Sequence, residues 1–170
     1  MNSVLPRKIM KQQSKVSSES LELHRMRARE LFLQGYNCAQ SVFCAYAEDY
    51  GFTPEQALKV SASFGGGIGR MRETCGAVCG MAMLVGMEKG QTNPNDSQAK
   101  QENYKAVQQL AQLFREQNGS IKCSELLGLR KDAPIKSAPD ERTAEYYRTR
   151  PCLRMVESAV EIFEQNKEAL

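Results

Sequence analysis

The chain has 170 residues and a mass of 19.0 kDa, with 41% hydrophobic and 25% charged residues, which suits one domain with a real core and excludes wholesale disorder. Its net charge of +3 is uneven: Arg7, Lys8, Lys11 and Lys15 give residues 1–18 a charge of +4, leaving −1 for the rest, so the body carries no dedicated nucleic-acid surface. A single histidine excludes multi-histidine metal sites and leaves cysteine and carboxylate as ligands, which makes the six cysteines the informative residues.

Residues 1–19 read as a disordered basic tail, and 20–170 as a single helical domain. The first helix is expected over about 20–34, with Leu21, Ala28, Leu31 and Phe32 on one face and Gly35 as its stop. A second starts at Asn37, carries Val42, Phe43 and Tyr46, and stops at Gly51. The third has the clearest start: Thr53 as N-cap, Pro54 at the first helical position and Gln56 closing a capping box. It runs to about Ser63 and meets the glycine cluster at 65–69.

A fourth helix follows Thr74 and reaches about Met87. It is apolar nearly all round, so it belongs at the centre of a bundle, and its small residues Gly76, Ala77 and Gly80 let neighbouring backbones approach. Asn93, Pro94, Asn95 and Asp96 break the chain. A long amphipathic helix then runs to about Gln117, with Tyr104, Val107, Ala111 and Phe114 in one stripe. A short helix is expected at about 121–127, a surface loop at 129–139, a helical turn near 144–148, and a last helix from about Pro151 with Val156, Ala159, Val160 and Phe163 inward. No segment has a convincing strand pattern. The fold class is therefore all-α, a compact bundle of about five to seven helices with a buried central helix.

The N-terminus has no apolar region of the secretory kind, and the longest nearly apolar run, at 76–87, is shorter than the roughly 20 residues that span a bilayer. The expectation is a cytoplasmic protein with no membrane insertion, in whose reducing surroundings cysteines are core residues, metal ligands or redox thiols.

The cysteines fall into two groups. Cys38, Cys75, Cys123 and Cys152 all lie at expected helix starts, where the helix dipole and free N–H groups favour a thiolate, the form that binds metal and attacks disulfides. Cys44 and Cys79 fall mid-helix in apolar surroundings and read as small hydrophobes. Tens of residues separate members of the first group, so neither a CxxC zinc knuckle nor a ferredoxin run is present. Position alone is equally consistent with a convergent site and with four separate buried thiols.

The order of elements Gly35-Tyr36-Asn37-Cys38-Ala39-Gln40, Phe64-Gly65-Gly66-Gly67-Ile68-Gly69, Cys75-Gly76-Ala77-Val78-Cys79-Gly80, Cys123 with Leu126-Leu127-Gly128, and Cys152 resembles the C-GCAxxG-C-C family of redox-active proteins. The resemblance covers about residues 25–165. It implies that Cys38, Cys75, Cys123 and Cys152 are the defining cysteines, the same four that helix starts select. A related helical domain, in split-Soret multihaem cytochromes, is associated with an iron–sulfur centre. The resemblance thus points to an iron–sulfur cluster on these four thiolates, for electron transfer or redox sensing, in an oxidoreductase or electron carrier. A metal-free thiol–disulfide relay through the same cysteines is the alternative, and a structural zinc site on the four thiolates the second alternative. Covalent haem is excluded because no C-x-x-C-H is present. The implied partner is a redox protein of unknown identity, and a two-fold homodimer would suit a small electron carrier.

Other features are read blandly. The glycine cluster with Arg70 and Arg72 lacks a preceding strand and the full dinucleotide fingerprint, so it reads as a loop passing close to the cysteine site, with amides available to sulfurs and its arginines solvated. His24 reads as a packing or surface residue, Glu73 as a solvent-facing acid, and Met81, Met83 and Met87 as core filler.

Overall fold

Side-chain caps write several of the helix starts. Asn37 and Gln40 form a reciprocal capping box, as do Thr53 and Gln56, with Pro54 in the first turn. Asp96 accepts from the Ala99 amide, and Thr143 from the Tyr146 amide. The computed structural model describes the backbone of residues 7–170 and the side chains from residue 18 onward. Eight α-helices are present among the described residues. They are α1 (Arg7–Leu33), α2 (Cys38–Cys44), α3 (Pro54–Ser61), α4 (Gly76–Lys89), α5 (Ser97–Asn118), α6 (Cys123–Leu126), α7 (Ala144–Thr149) and α8 (Cys152–Asn166). The count passes the expected five to seven because α6 and α7 are only a turn or two long.

The first helix begins at Arg7, well before the expected start near Ser20. No proline or glycine interrupts 7–33, so nothing in the sequence stops the helix earlier. Of the basic tail expected over 1–19, residues 1–6 lie outside the described residues. The inward face of α1 carries His24, Ala28 and Phe32, all buried, with Leu21 half-buried below them.

The apolar helix α4 takes the central place its composition predicts, packing against α2, α5 and α8. Its two glycines set the closest approach. A Cβ on Gly80 would come 2.9 Å from Cβ of Val42 and 3.0 Å from the Ala39 carbonyl, and one on Gly76 would come 3.1 Å from the Ala39 amide. The spacing Gly-x-x-x-Gly thus fixes how near α2 and α4 can lie, and with them Cys38 and Cys75.

Against α4 also lie Leu110 and Phe114 of α5 and Met155, Val156, Ala159 and Val160 of α8, all buried. The stripe expected on α5 is rotated. Tyr104 is 55% exposed, while Ala106 and Leu110 are buried, because the inward arc is set by Ala106, Leu110 and Phe114 at four-residue spacing. Among the described residues no helix is long and apolar enough to cross a membrane.

Candidate functional site

Each cysteine of the first group occupies the helix start that the sequence predicts. Cys38 opens α2, Cys75 caps α4, Cys123 opens α6 and Cys152 opens α8. The structure brings all four to one end of the bundle, where they line a single cavity of about 60 Å³. That is several times the ~15 Å³ that one water needs. Leu126, Leu127 and Met155 supply apolar wall, and Arg72, Arg142 and Arg150 supply charge.

Two backbone devices hold Cys75 beside Cys123. An isolated antiparallel bridge pairs Thr74 with Lys122, so that the Cys75 amide donates to the Ile121 carbonyl and the Cys123 amide to the Glu73 carbonyl, each at 2.7 Å. The glycine loop then closes over Cys123. A Cβ on Gly67 would stand 2.6 Å from Cβ of Cys123, so only glycine fits, and its φ of 71° also needs glycine. Positive φ continues through Ile68, Arg70 and Arg72. For branched Ile68 this is a strained conformation, of the kind found where a binding site dictates the backbone.

The amides of residues 68–73 donate to carbonyls between Ser63 and Ile68 within the same loop. These six amides are therefore spent on the loop itself, so within the 65–69 cluster those of Ile68 and Gly69 are not available to sulfurs. Arg70 and Arg72 are corrected as well: their side chains are only 18% and 16% exposed, so neither is a solvated loop charge. Arg72 Nη1 donates to Cys123 Sγ at 3.7 Å.

The thiols differ in acidity. At three of them the sequence argument from helix starts is overturned. The neighbouring Cys152 sulfur, with burial, holds Cys38 well above the usual thiol range. Burial pushes Cys75 up to about 12, although the Ala77 and Val78 amides of the helix start pull the other way. Burial also raises Cys123, opposed by the bond from Arg72. Only Cys152 moves down, to about 7. The neighbouring Cys38 thiol lowers it most, burial opposes, and Arg150, Arg142 and Arg72 add to the lowering. Desolvation outweighs the helix-start amides at Cys75, and at Cys123 it outweighs the neighbouring Arg72 guanidinium as well.

The remaining cysteines lie outside the cavity. Cys44 is the last residue of α2, not mid-helix, with its sulfur 3.8 Å from Ser61 Oγ. Cys79 donates to the Thr74 carbonyl at 3.7 Å, and burial raises it to about 11. Among the described residues, no group of three or more His, Cys, Asp or Glu side chains is drawn together as ligands of a metal ion.

His24 is buried and does not line the sulfur cavity. Its ring stacks on Tyr46, with centroids 3.9 Å apart, and Nε2 lies 2.8 Å from Asp49 Oδ2. The side chains that sequence reasoning missed are Arg142, Tyr146 and Arg150. Arg142 and Arg150 stand in a short arginine-rich stretch just before Cys152, and that proximity was the available signal.

The fold and site define an all-helical bundle that gathers four cysteines and three arginines at one end. Residues 36–166 match the model of the family described as "Putative redox-active protein (C_GCAxxG_C_C)", and the chain belongs to that family. Comparison with curated proteins and with solved structures found no match.

Proposed function

We propose that Cys38, Cys75, Cys123 and Cys152 hold an iron–sulfur cluster and that the protein transfers electrons or senses redox state. The observation that carries this reading is the convergence of the four sulfurs on one small, largely apolar cavity. The donor set suits the group in kind: four thiols line one cavity and no histidine does. Three guanidiniums at the rim offset the charge that four thiolates bring. When bound, such a cluster supplies one-electron transfer. The chain's own part is to position the sulfurs through four helix starts, exclude water with Leu126, Leu127 and Met155, and set local potential through Arg72, Arg142 and Arg150.

The test is iron and acid-labile sulfide analysis with an absorption spectrum on protein purified without oxygen. Matching iron and sulfide are expected. Serine at any of the four positions should abolish or weaken retention, while Cys44→Ser and Cys79→Ser should keep it. Metal-free, colourless protein from iron-replete cells with intact cluster assembly would overturn the reading. One tightly held zinc would instead mark a structural four-thiolate site.

A second reading has its own support in the contact between Cys38 and Cys152. A Cys152 thiolate attacks a disulfide oxidant such as oxidised glutathione and releases one glutathione thiolate. The Cys38 thiol, losing its proton, then displaces the second glutathione and closes a Cys38–Cys152 disulfide. Peptide mapping after mild oxidation of metal-free protein reads this directly.

A further inference from the structure

Beside the cysteine cavity lies a second one of about 380 Å³, inside the ~300–1,000 Å³ range of small-molecule sites. The two share Arg72, Arg142, Arg150 and Tyr146 along their common rim. The outer cavity adds Arg70, so four guanidiniums face it, against one carboxylate, Asp140. We propose that this outer cavity binds a small organic anion carrying phosphate or carboxylate groups. The proposal does not depend on what the cysteines hold.

Like charges gathered in a partly desolvated cleft repel one another unless an anion joins them. Asp140 meets part of that need, with Oδ2 2.8 Å from Arg70, 2.9 Å from Arg150 and 3.6 Å from Arg72. Arg142 receives none of it. Its Nη2 donates to the Tyr36 carbonyl at 3.1 Å, and its guanidinium lies 4.7 Å from the Phe32 ring centre and 4.6 Å from that of Tyr146. Its Nη1 is buried and has no hydrogen-bond partner. A buried, charged donor left unpaired is costly, and a small shift of the Arg142 side chain toward the cavity would pair it with an anion's oxygen.

Arg142 favours the Cys152 thiolate through space, but Arg72 is the arginine hydrogen-bonded to a sulfur, at Cys123, so Arg142 Nη1 stays unpaired. The loop amides from 68 to 73 are internally bonded and offer an anion nothing. Recognition falls to the guanidinium forks, whose planar donors match carboxylate and phosphate oxygens in pairs.

The experiment is calorimetric titration of the full chain at constant ionic strength, set with sodium chloride, using inorganic phosphate in one arm and citrate in the other. One saturable site is expected in at least one arm, and the stronger arm identifies the head group. Arg142→Gln should weaken binding about tenfold or more, as loss of a charge-assisted hydrogen bond does. If that variant does not fold, Arg70→Gln, on the outer cavity alone, should weaken binding severalfold. Asp140→Asn removes the one competing carboxylate and should tighten binding severalfold, a gain that a merely loop-anchoring role for these arginines would not produce. The proposal is overturned if neither probe saturates by about 10 mM. It is equally overturned if binding is unchanged in the folded arginine variant, or if Asp140→Asn weakens it.

Discussion

Two buried polar clusters can be set side by side within this one bundle. At one, Glu164 of α8 is 3% exposed, and every partner it needs is internal. Ser20 Oγ donates to it at 2.5 Å, the Tyr46 hydroxyl at 2.9 Å and Lys167 Nζ at 2.8 Å, with His24 Nδ1 3.5 Å away. At the other, the four sulfurs share one cavity, three arginines surround them, and Arg142 Nη1 has no partner. The first cluster is closed and ties α1 to α8. The second leaves donors and thiols over, and in a folded protein surplus polar capacity is the mark of a site that binds something. His24, read from sequence as packing, belongs to the closed cluster.

The most damaging change to the closed cluster is Glu164→Ala. It leaves the buried Tyr46 hydroxyl without its acceptor, removes the partner of Lys167 and of His24 Nδ1, and should cost about 3–5 kcal/mol in denaturant unfolding, with no direct change at the cysteine cavity of the folded protein. Acid makes the same cut by protonation. Burial alone would raise the Glu164 pKa, but bonds from His24, Lys167, Ser20 and Tyr46 outweigh it and hold it near 2. A lowered carboxylate stabilises fully above its unfolded value near 4.3 and loses that contribution as pH falls toward 2. Stability measured between pH 5 and 2 should therefore fall for the native chain and stay flatter for Glu164→Gln.

The opposite change spoils the open cluster alone. Gly67→Ala forces a Cβ onto Cys123 at a positive φ, and should cost about 1–3 kcal/mol while displacing Cys123. Cysteine accessibility to a thiol reagent and metal retention would both report it. The expected loss of the site exceeds the loss of the fold, the reverse of Glu164→Ala.

A smaller effect distinguishes thiols within the open cluster. In metal-free protein, alkylation by iodoacetamide should begin at Cys152 with a half-maximal rate near pH 7, while Cys75 stays protonated until about pH 12. Arg150→Gln removes a charge that favours the Cys152 thiolate, so that midpoint should move up. The smallest effect is expected at Cys44→Ala, which loses a weak contact with Ser61 at the far end of α2. About 1 kcal/mol of stability and no change in thiol chemistry at the cavity would be measured.

The helices and most of their starting points were legible in the order of residues alone. Capping boxes at Asn37 and Thr53, Pro54 in the first turn and the all-apolar 76–87 run are local signals, and local signals survive in a linear string. They also placed the four cysteines at helix starts and, with the order of motifs, pointed to the family. Where the amphipathic phase was weak, as at Tyr104, the reading slipped by part of a turn. That Cys38, Cys75, Cys123 and Cys152 line one cavity was settled by packing: Gly76 and Gly80 set how close α2 brings Cys38 to Cys75, and the Thr74–Lys122 bridge sets Cys123 beside Cys75. Packing also settled their acidity. Desolvation and the distance to a charge are properties of the surroundings, so burial raised Cys75 despite its helix start, while the Cys38 thiol, Arg150 and Arg142 lowered Cys152.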